Sequence, residues 1–352
     1  GSGMNARLAE YVKSNYPNTK SDMSTVFMEK TVKMCKKTGY MSMINIPVWM
    51  FLSSYEKLRE SLIAQDTFAN MVHFGRGVFG SDFGTTAFVI AKSNIHGYKG
   101  TYCRLFEKQG AVDSVETKEK WFLEGKGRFV ADQSNFSKIP GSPVAYWVGE
   151  AVFEAFKTGK PLENYLPVKK GMTTSDNNRF LRFWYEVSRD SLNYKWFKTH
   201  KGGEFRRWYG NDENVVNWYN NGYELKAFSG SVIRNEEFYF RKCISWNDIS
   251  IYKTGFRYID GNSISNASGP SVYGDGDILF YVLGLCNSKV AELIFTITCP
   301  TIHFEVGRVA EFPILIENKN EIIQKTISNI KLSKQDWDSC ETSWDFKRNP
   351  LV

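Results

Sequence analysis

The chain has 352 residues, 42% hydrophobic and 15% aromatic, with a net charge of +7 and a pI near 8.9. That length supports two or three domains with sizeable cores, and the basic balance fits a polyanionic partner without requiring one. No run of about 18 apolar residues and no signal peptide occurs, which speaks against a membrane span, and the six cysteines, Cys35, Cys103, Cys243, Cys286, Cys299 and Cys340, form no C-x-x-C pair, as expected of reduced thiols in a cytoplasmic protein.

Gly1-Ser2-Gly3 reads as a cloning scar or a native loop, and a helix is predicted over residues 5–16. Pro17 and Asn18 break it, Ser21 or Asp22 caps the next helix, and Met23, Val26, Phe27 and Met34 fall on one face of that helix before Gly39 ends it. Tyr40 to Ile46 reads as a buried strand. An aromatic turn after Pro47, a helix over Ser54 to Gln65, and strands over Phe68 to Phe74 and Thr86 to Lys92 follow. Residues 1–92 therefore describe part of an α/β sheet ending in a hairpin rather than a whole α/β domain.

Residues 93–165 read as mixed structure with a helix near Glu150 to Lys157, and Pro161 and Pro167 bracket a linker. From Val168 to about residue 260, aromatics are interleaved with Arg, Lys, Asn and Gly in loop-rich structure. Helices are expected over Ile278 to Ser288, Lys289 to Thr296 and Lys319 to Lys331.

Three chemical-looking signals carry little. Gly75-Arg76-Gly77-Val78-Phe79-Gly80 matches G-x-G-x-x-G, but a strand follows instead of a helix, so it reads as a glycine-rich hairpin loop. Cys286, Cys299 and His303 fit no zinc spacing, and no metal site is expected. Four histidines, and no G-x-S-x-G or Walker loop, leave nucleophilic catalysis without a motif.

The order of segments in 1–92 resembles the second half of a gamma-type amino-methyltransferase domain. Ser21-Asp22-Met23-Ser24-Thr25-Val26-Phe27 opens a helix, Ile46-Pro47-Val48-Trp49 ends a strand, Lys57-Leu58-Arg59 lies in the next helix, and Gly77-Val78-Phe79 precedes Thr85-Thr86-Ala87-Phe88-Val89. Nearly the whole chain resembles the C-terminal half of PglX-type adenine-specific DNA methyltransferases of BREX phage-defence systems and related restriction–modification methylases. The carrying segments are Gly171 to Phe180, Lys201 to Asn211, Ile244 to Ile249, Leu283 to Lys289, Trp337-Asp338 and Glu341 to Phe346. The fold implied is the C-terminal part of a Rossmann-like methyltransferase sheet (1–110), a connecting region (111–166), an α+β target-recognition domain (167–318) and a C-terminal helical segment (319–352).

The Asn-Pro-Pro-Tyr tetrapeptide and the glycine loop that hold the target amino group and S-adenosylmethionine in that family are absent from this sequence. The expectation is a fragment that starts just after the tetrapeptide, with no catalytic residue and weak or no hold on the cofactor. The resemblance makes Phe79 the residue that stacks on the extruded target base, where the alternative is a hairpin core residue. It places Phe27 against the adenine ring of S-adenosylmethionine, with Asp22 beside it, where the alternative for Phe27 is ordinary helix packing. Lys170, Arg179, Arg182, Lys201, Arg206 and Arg207 are expected on phosphates of double-stranded DNA, Asn177, Asn178 and Arg179 can make bidentate base contacts, and Trp208 lies among them. Two other readings stand beside this one: a stand-alone DNA-specificity subunit paired with a separate catalytic chain, and a phage-defence scaffold that binds other defence proteins and no DNA.

Overall fold

In the computed structural model, which describes residues 3–80, 83–107, 110–250, 253–300 and 302–351, the side chain of Asn5 accepts the Leu8 amide at 2.9 Å and starts α1 (Ala6–Asn15). Asp22 does the same for α2 (Met23–Met34) by accepting the Ser24 amide at 2.7 Å. α2 stops at Met34, before Gly39, which lies in the turn that leads into β1 (Tyr40–Asn45). Pro47 opens a short 3-10 turn, as its missing N–H permits. There follow α3 (Glu56–Gln65), β2 (Thr67–Gly75), β3 (Thr85–Ala91), β4 (Lys99–Arg104), α4 (Val115–Leu123), β5 (Arg128–Asp132) and α5 (Glu150–Thr158).

These strands form one sheet in the order β1-β3-β2-β4-β5. β3 runs antiparallel to both β1 and β2, and β4 runs parallel to β2, so β1, β2 and β4 point the same way. β5 returns antiparallel along β4, so one strand that lies in residues 111–166 completes this sheet. Register aligns Met41 with Ile90 and Met43 with Phe88, and Phe88 in turn with Met71. That face closes a core with Trp49, Leu58, Leu62, Phe68, Tyr102, Phe136 and Tyr146. Arg59, fully buried, serves this core by donating to the carbonyls of Trp49 and Leu52 (both 2.8 Å) and of Gly141 (2.9 Å).

Contacts divide the chain into two compact units, Gly1–Lys157 and Thr158–Val352. The second opens with β6 (Lys160–Pro161) and β7 (Val168–Lys169), then α6 (Asn177–Phe180), β8 (Leu181–Phe183), β9 (Trp196–His200) and β10 (Asn214–Asn217). Next come α7 (Tyr219–Ala227), broken by left-handed Asn220, Asn221 and Gly222, then β11 (Lys242–Ser245), β12 (Arg257–Asp260), β13 (Ser263–Ser265) and β14 (Ser271–Tyr273). α8 (Gly276–Cys286), α9 (Lys289–Thr298), α10 (Val306–Ala310), β15 (Pro313–Ile314) and α11 (Lys319–Trp337) end it.

Two four-stranded sheets, β13-β9-β10-β8 and β12-β11-β14-β7, make its frame, and β6 pairs with β15. α8 is apolar on most of its surface and buries Leu279, Tyr281, Val282, Leu283 and Cys286. α11 packs across α8 within this unit, so closely that a methyl group on Gly284 would overlap Thr326. No single helix among the described residues is long and apolar enough to cross a membrane.

Candidate functional site

Because β1, β2 and β4 are parallel, the loops that follow them gather at one end of the first sheet. The carboxyl ends of parallel strands are where α/β sheets most often place their ligands. Asn45 ends β1, and its Oδ1 accepts from Trp49 Nε1 at 2.9 Å and from Thr86 Oγ1 at 3.2 Å, which fixes the Pro47 turn against the start of β3. The segment after β2 carries Phe79, which is 57% exposed. That segment is fixed by close approaches. A Cβ on Gly75 would lie 2.7 Å from the Phe106 ring, and one on Gly77 2.9 Å from Val112. Both glycines have positive φ, at 70° and 90°, so their lack of a side chain is required twice over. Arg76 donates to the Gly110 carbonyl at 3.0 Å.

Beneath this end His73 is buried, its Nδ1 3.2 Å from the Tyr146 hydroxyl and its ring 4.7 Å from that of Phe106. Burial, with the charges of Arg104 and Lys118, pushes its pKa down to about 3, so it stays neutral. It packs against Phe106 and Tyr146. Lys118 from α4 is buried as well, and no apolar periodicity marked it in the sequence.

Phe27 lies on α2 and is 52% exposed. Asp22 holds its own helix: Oδ1 accepts both the amide and the hydroxyl of Ser24, at 2.7 and 2.6 Å. β1 pairs on one side only, and Met34, Tyr40 and Ile44 stand exposed on α2 and β1.

In the second unit the expected DNA-facing residues separate into two groups. Asn177, Asn178 and Arg179 are exposed on α6, which Asp176 caps by accepting the Arg179 amide at 3.0 Å. The Arg179 guanidinium lies over Phe180 and Phe228, 5.0 and 5.3 Å from the ring centres. Arg182 on the adjoining β8 lies 5.6 Å over Trp196 and donates to the carbonyls of Asn178 and Leu181. Asn177 accepts from the Thr174 hydroxyl. Lys201 is half-buried near Glu213.

The other group is tied inward. Lys170 pairs with Asp248 at 3.0 Å, Arg206 with Asp336, and Arg207 with Glu292 at 3.5 Å. Trp208 adopts a left-handed φ of 73° and bonds through its backbone to Phe256 and Tyr258, both at 2.8 Å. Two further features were not marked in the sequence. Phe183 and Tyr185 stack at 5.3 Å on the exposed side of β8. A cavity of about 350 Å³ is lined by Lys198, Tyr209, Asp212, Tyr258, Lys334 and Asp345. Burial lowers the Lys198 pKa, raises that of Asp212, and pushes the Tyr209 phenol up to about 12. Among the described residues no cluster of His, Cys, Asp and Glu could hold a metal ion.

Residues 2–79 match the Eco57I restriction-modification methylase family. The whole chain is 35% identical to adenine-specific methyltransferase BrxX of Escherichia coli O9:H4 (strain HS), and 34% identical to adenine-specific methyltransferase PglX of Lacticaseibacillus casei (strain Zhang). The chain resembles PglX-type adenine-specific methyltransferases over its full length. It spans 30% of the first relative and 31% of the second. Among solved structures, the type IIL restriction-modification enzyme MmeI in complex with DNA is similar over 99% of this chain and 50% of its own, with a TM-score of 0.61 and 10% identity. The type ISP enzyme LlaGI with a DNA substrate mimic covers 93% of this chain and 33% of its own, with a TM-score of 0.54 and 11% identity. The fold, mixed α/β in both units, is thus shared with these restriction-modification enzymes.

Proposed function

We propose that the chain is part of a site-specific DNA adenine-N6 methyltransferase of a phage-defence or restriction–modification system, supplying the target-base platform and the recognition of double-stranded DNA. The observation that carries this reading is Phe79, an exposed aromatic on the loop at the carboxyl ends of three parallel strands. A base can be modified only after it leaves the stack, and an aromatic face holds it for about 1–3 kcal/mol. Phe79 offers an exposed face of that kind, which supports the reading.

S-adenosylmethionine, when bound, supplies the methyl group. The residues of this chain fit one wall of a pocket for it: Phe27 offers an exposed ring for the adenine, while Asp22 spends Oδ1 on Ser24. The Asn-Pro-Pro-Tyr and glycine-loop elements are absent from these 352 residues and come from other polypeptide in this reading. The one-sided pairing of β1, with Tyr40 and Ile44 exposed on it, supports a sheet that continues there. In the second unit Arg179 and Arg182, stacked on aromatic rings beside Asn177 and Asn178, suit contacts to phosphates and base edges.

Tritium transfer from labelled S-adenosylmethionine to duplex DNA tests the reading. The chain alone is expected to give background counts, and the chain assembled with a cofactor-binding segment is expected to label adenine N6. Transfer by the chain alone, or label on another atom in the assembly, overturns it.

A further inference from the structure

Lys118 is a buried cation in a helix whose other residues are exposed or half-buried. Its side chain is only 3% exposed, and it is the one residue α4 buries. Its Nζ donates to the carbonyl of Phe74 at 2.8 Å and to that of Leu105 at 2.9 Å. The nearest carboxylate oxygen, on Asp113, is 4.0 Å away. The two acceptors sit where the chain leaves β2 and β4, strands that pair in parallel. A buried ammonium without full compensation is costly, and it is kept where its donors hold something in place.

The place held is the root of the Phe79 segment. Phe74 is the residue before Gly75, whose backbone passes against Phe106, and Gly77 passes against Val112. Lys118 therefore fastens the segment after β2 to the segment after β4 at their common base, while Arg76 joins them again at Gly110. We infer that Lys118 is a positioning residue for the target-base platform: it sets the height and angle of the Phe79 loop by bonding the carboxyl ends of β2 and β4 together. This rests on the reading of Phe79 as the stacking residue. Lys118 touches neither base nor cofactor, and acts through the loop.

Three substitutions test it, Lys118→Met, which keeps length and loses the charge, Lys118→Arg, which keeps donors, and Phe79→Ala. Amide hydrogen exchange is measured on the 352-residue chain. Methyl transfer is measured on the assembled enzyme. Lys118→Met is expected to speed exchange in residues 76–80 on the order of tenfold while β1 and α2 keep their protection. It is expected to lower kcat roughly tenfold with KM for DNA little changed, and to add nothing further in combination with Phe79→Ala. Lys118→Arg should recover most of both. Unchanged exchange at 76–80, or additive losses in the double variant, overturns the inference. If Phe79→Ala leaves methyl transfer intact, the stacking reading fails, while the exchange result still decides whether Lys118 holds the loop. Should Lys118→Met not fold, Lys118→Gln, which loses the charge and the reach to both carbonyls, carries the same exchange comparison.

Discussion

Arg206 closes an ion pair with Asp336 at the C-terminal end of α11, and its guanidinium lies 4.8 Å from the centre of the Trp337 ring. The two partners are 130 residues apart in sequence. A residue expected on DNA phosphate therefore fastens the last helix to the segment after β9 within the second unit. Arg206→Ala is expected to lower the stability of this unit by about 1 kcal/mol, since Asp336 is 70% exposed and exposed pairs contribute little beyond the ring contact. Denaturation of Arg206→Ala, Asp336→Ala and the double variant measures it. A coupling above about 3 kcal/mol would mean a desolvated pair, against this geometry.

Duplex binding should respond most at α6 and β8. Arg179→Glu with Arg182→Glu is expected to weaken binding across sequences and to flatten the slope of log affinity against log salt by about 0.9 for each phosphate no longer neutralised. Lys325→Glu with Lys331→Glu on α11 should change little, because Lys325 already pairs with Glu321 at 2.6 Å. Fluorescence anisotropy over a salt series decides. Equal losses from both pairs would mean that the basic balance acts only diffusely.

Phe79 and Phe88 make a paired comparison on one hairpin. Phe88 is buried in the core, and Phe88→Ala should cost about 3–5 kcal/mol. Phe79→Ala should leave the melting temperature within a degree or two, roughly the effect of an ordinary surface change. Thermal unfolding of the two variants is the check, and comparable losses would place Phe79 in the core.

Acid should destabilise both units through buried histidines. Burial, aided in each case by neighbouring cations, pushes the pKa of His73 and of His200 down to about 3. In the unfolded chain a histidine takes up its proton near 6.5, so between pH 6.5 and 3 the unfolded state holds the extra proton. Stability is therefore full above that window and falls as pH drops through it, by up to ~1.4 kcal/mol per pH unit for each histidine. Urea unfolding at pH 7.5 and 5.0, repeated on His73→Gln and His200→Gln, measures the slopes. A slope unaffected by either substitution would assign the acid sensitivity to other groups.

Much of the first unit was legible because its signals are local. Asp22 caps α2 by accepting an amide two residues on, Pro47 turns the chain after β1, and the apolar runs of β2 and β3 mark two strands that the register then aligns. α4 was missed for a physical reason. Its sequence, VETKEKWFL, sends a lysine inward, so the periodicity that reveals helices points the wrong way. The expected recognition residues divided for another reason. Arg207 meets Glu292 across 85 positions, and no spacing rule anticipates a partner that tertiary folding delivers. Arg179 kept an open surface because its partners, Phe180 and Phe228, are rings that leave its donors free of carboxylates.

The buried guanidinium of Arg59 sets a condition on the order in which the first unit can be made. Two of its acceptors, Trp49 and Leu52, leave the ribosome before it does or alongside it, but Gly141 and Ser142 follow more than eighty residues later. Until residue 142 has emerged, a nascent first unit lacks the Gly141 and Ser142 carbonyls that accept from Arg59, so the last sheet strand alone cannot finish the unit. A nascent chain stalled short of that point should be sensitive to protease in α3. One stalled well beyond it should not.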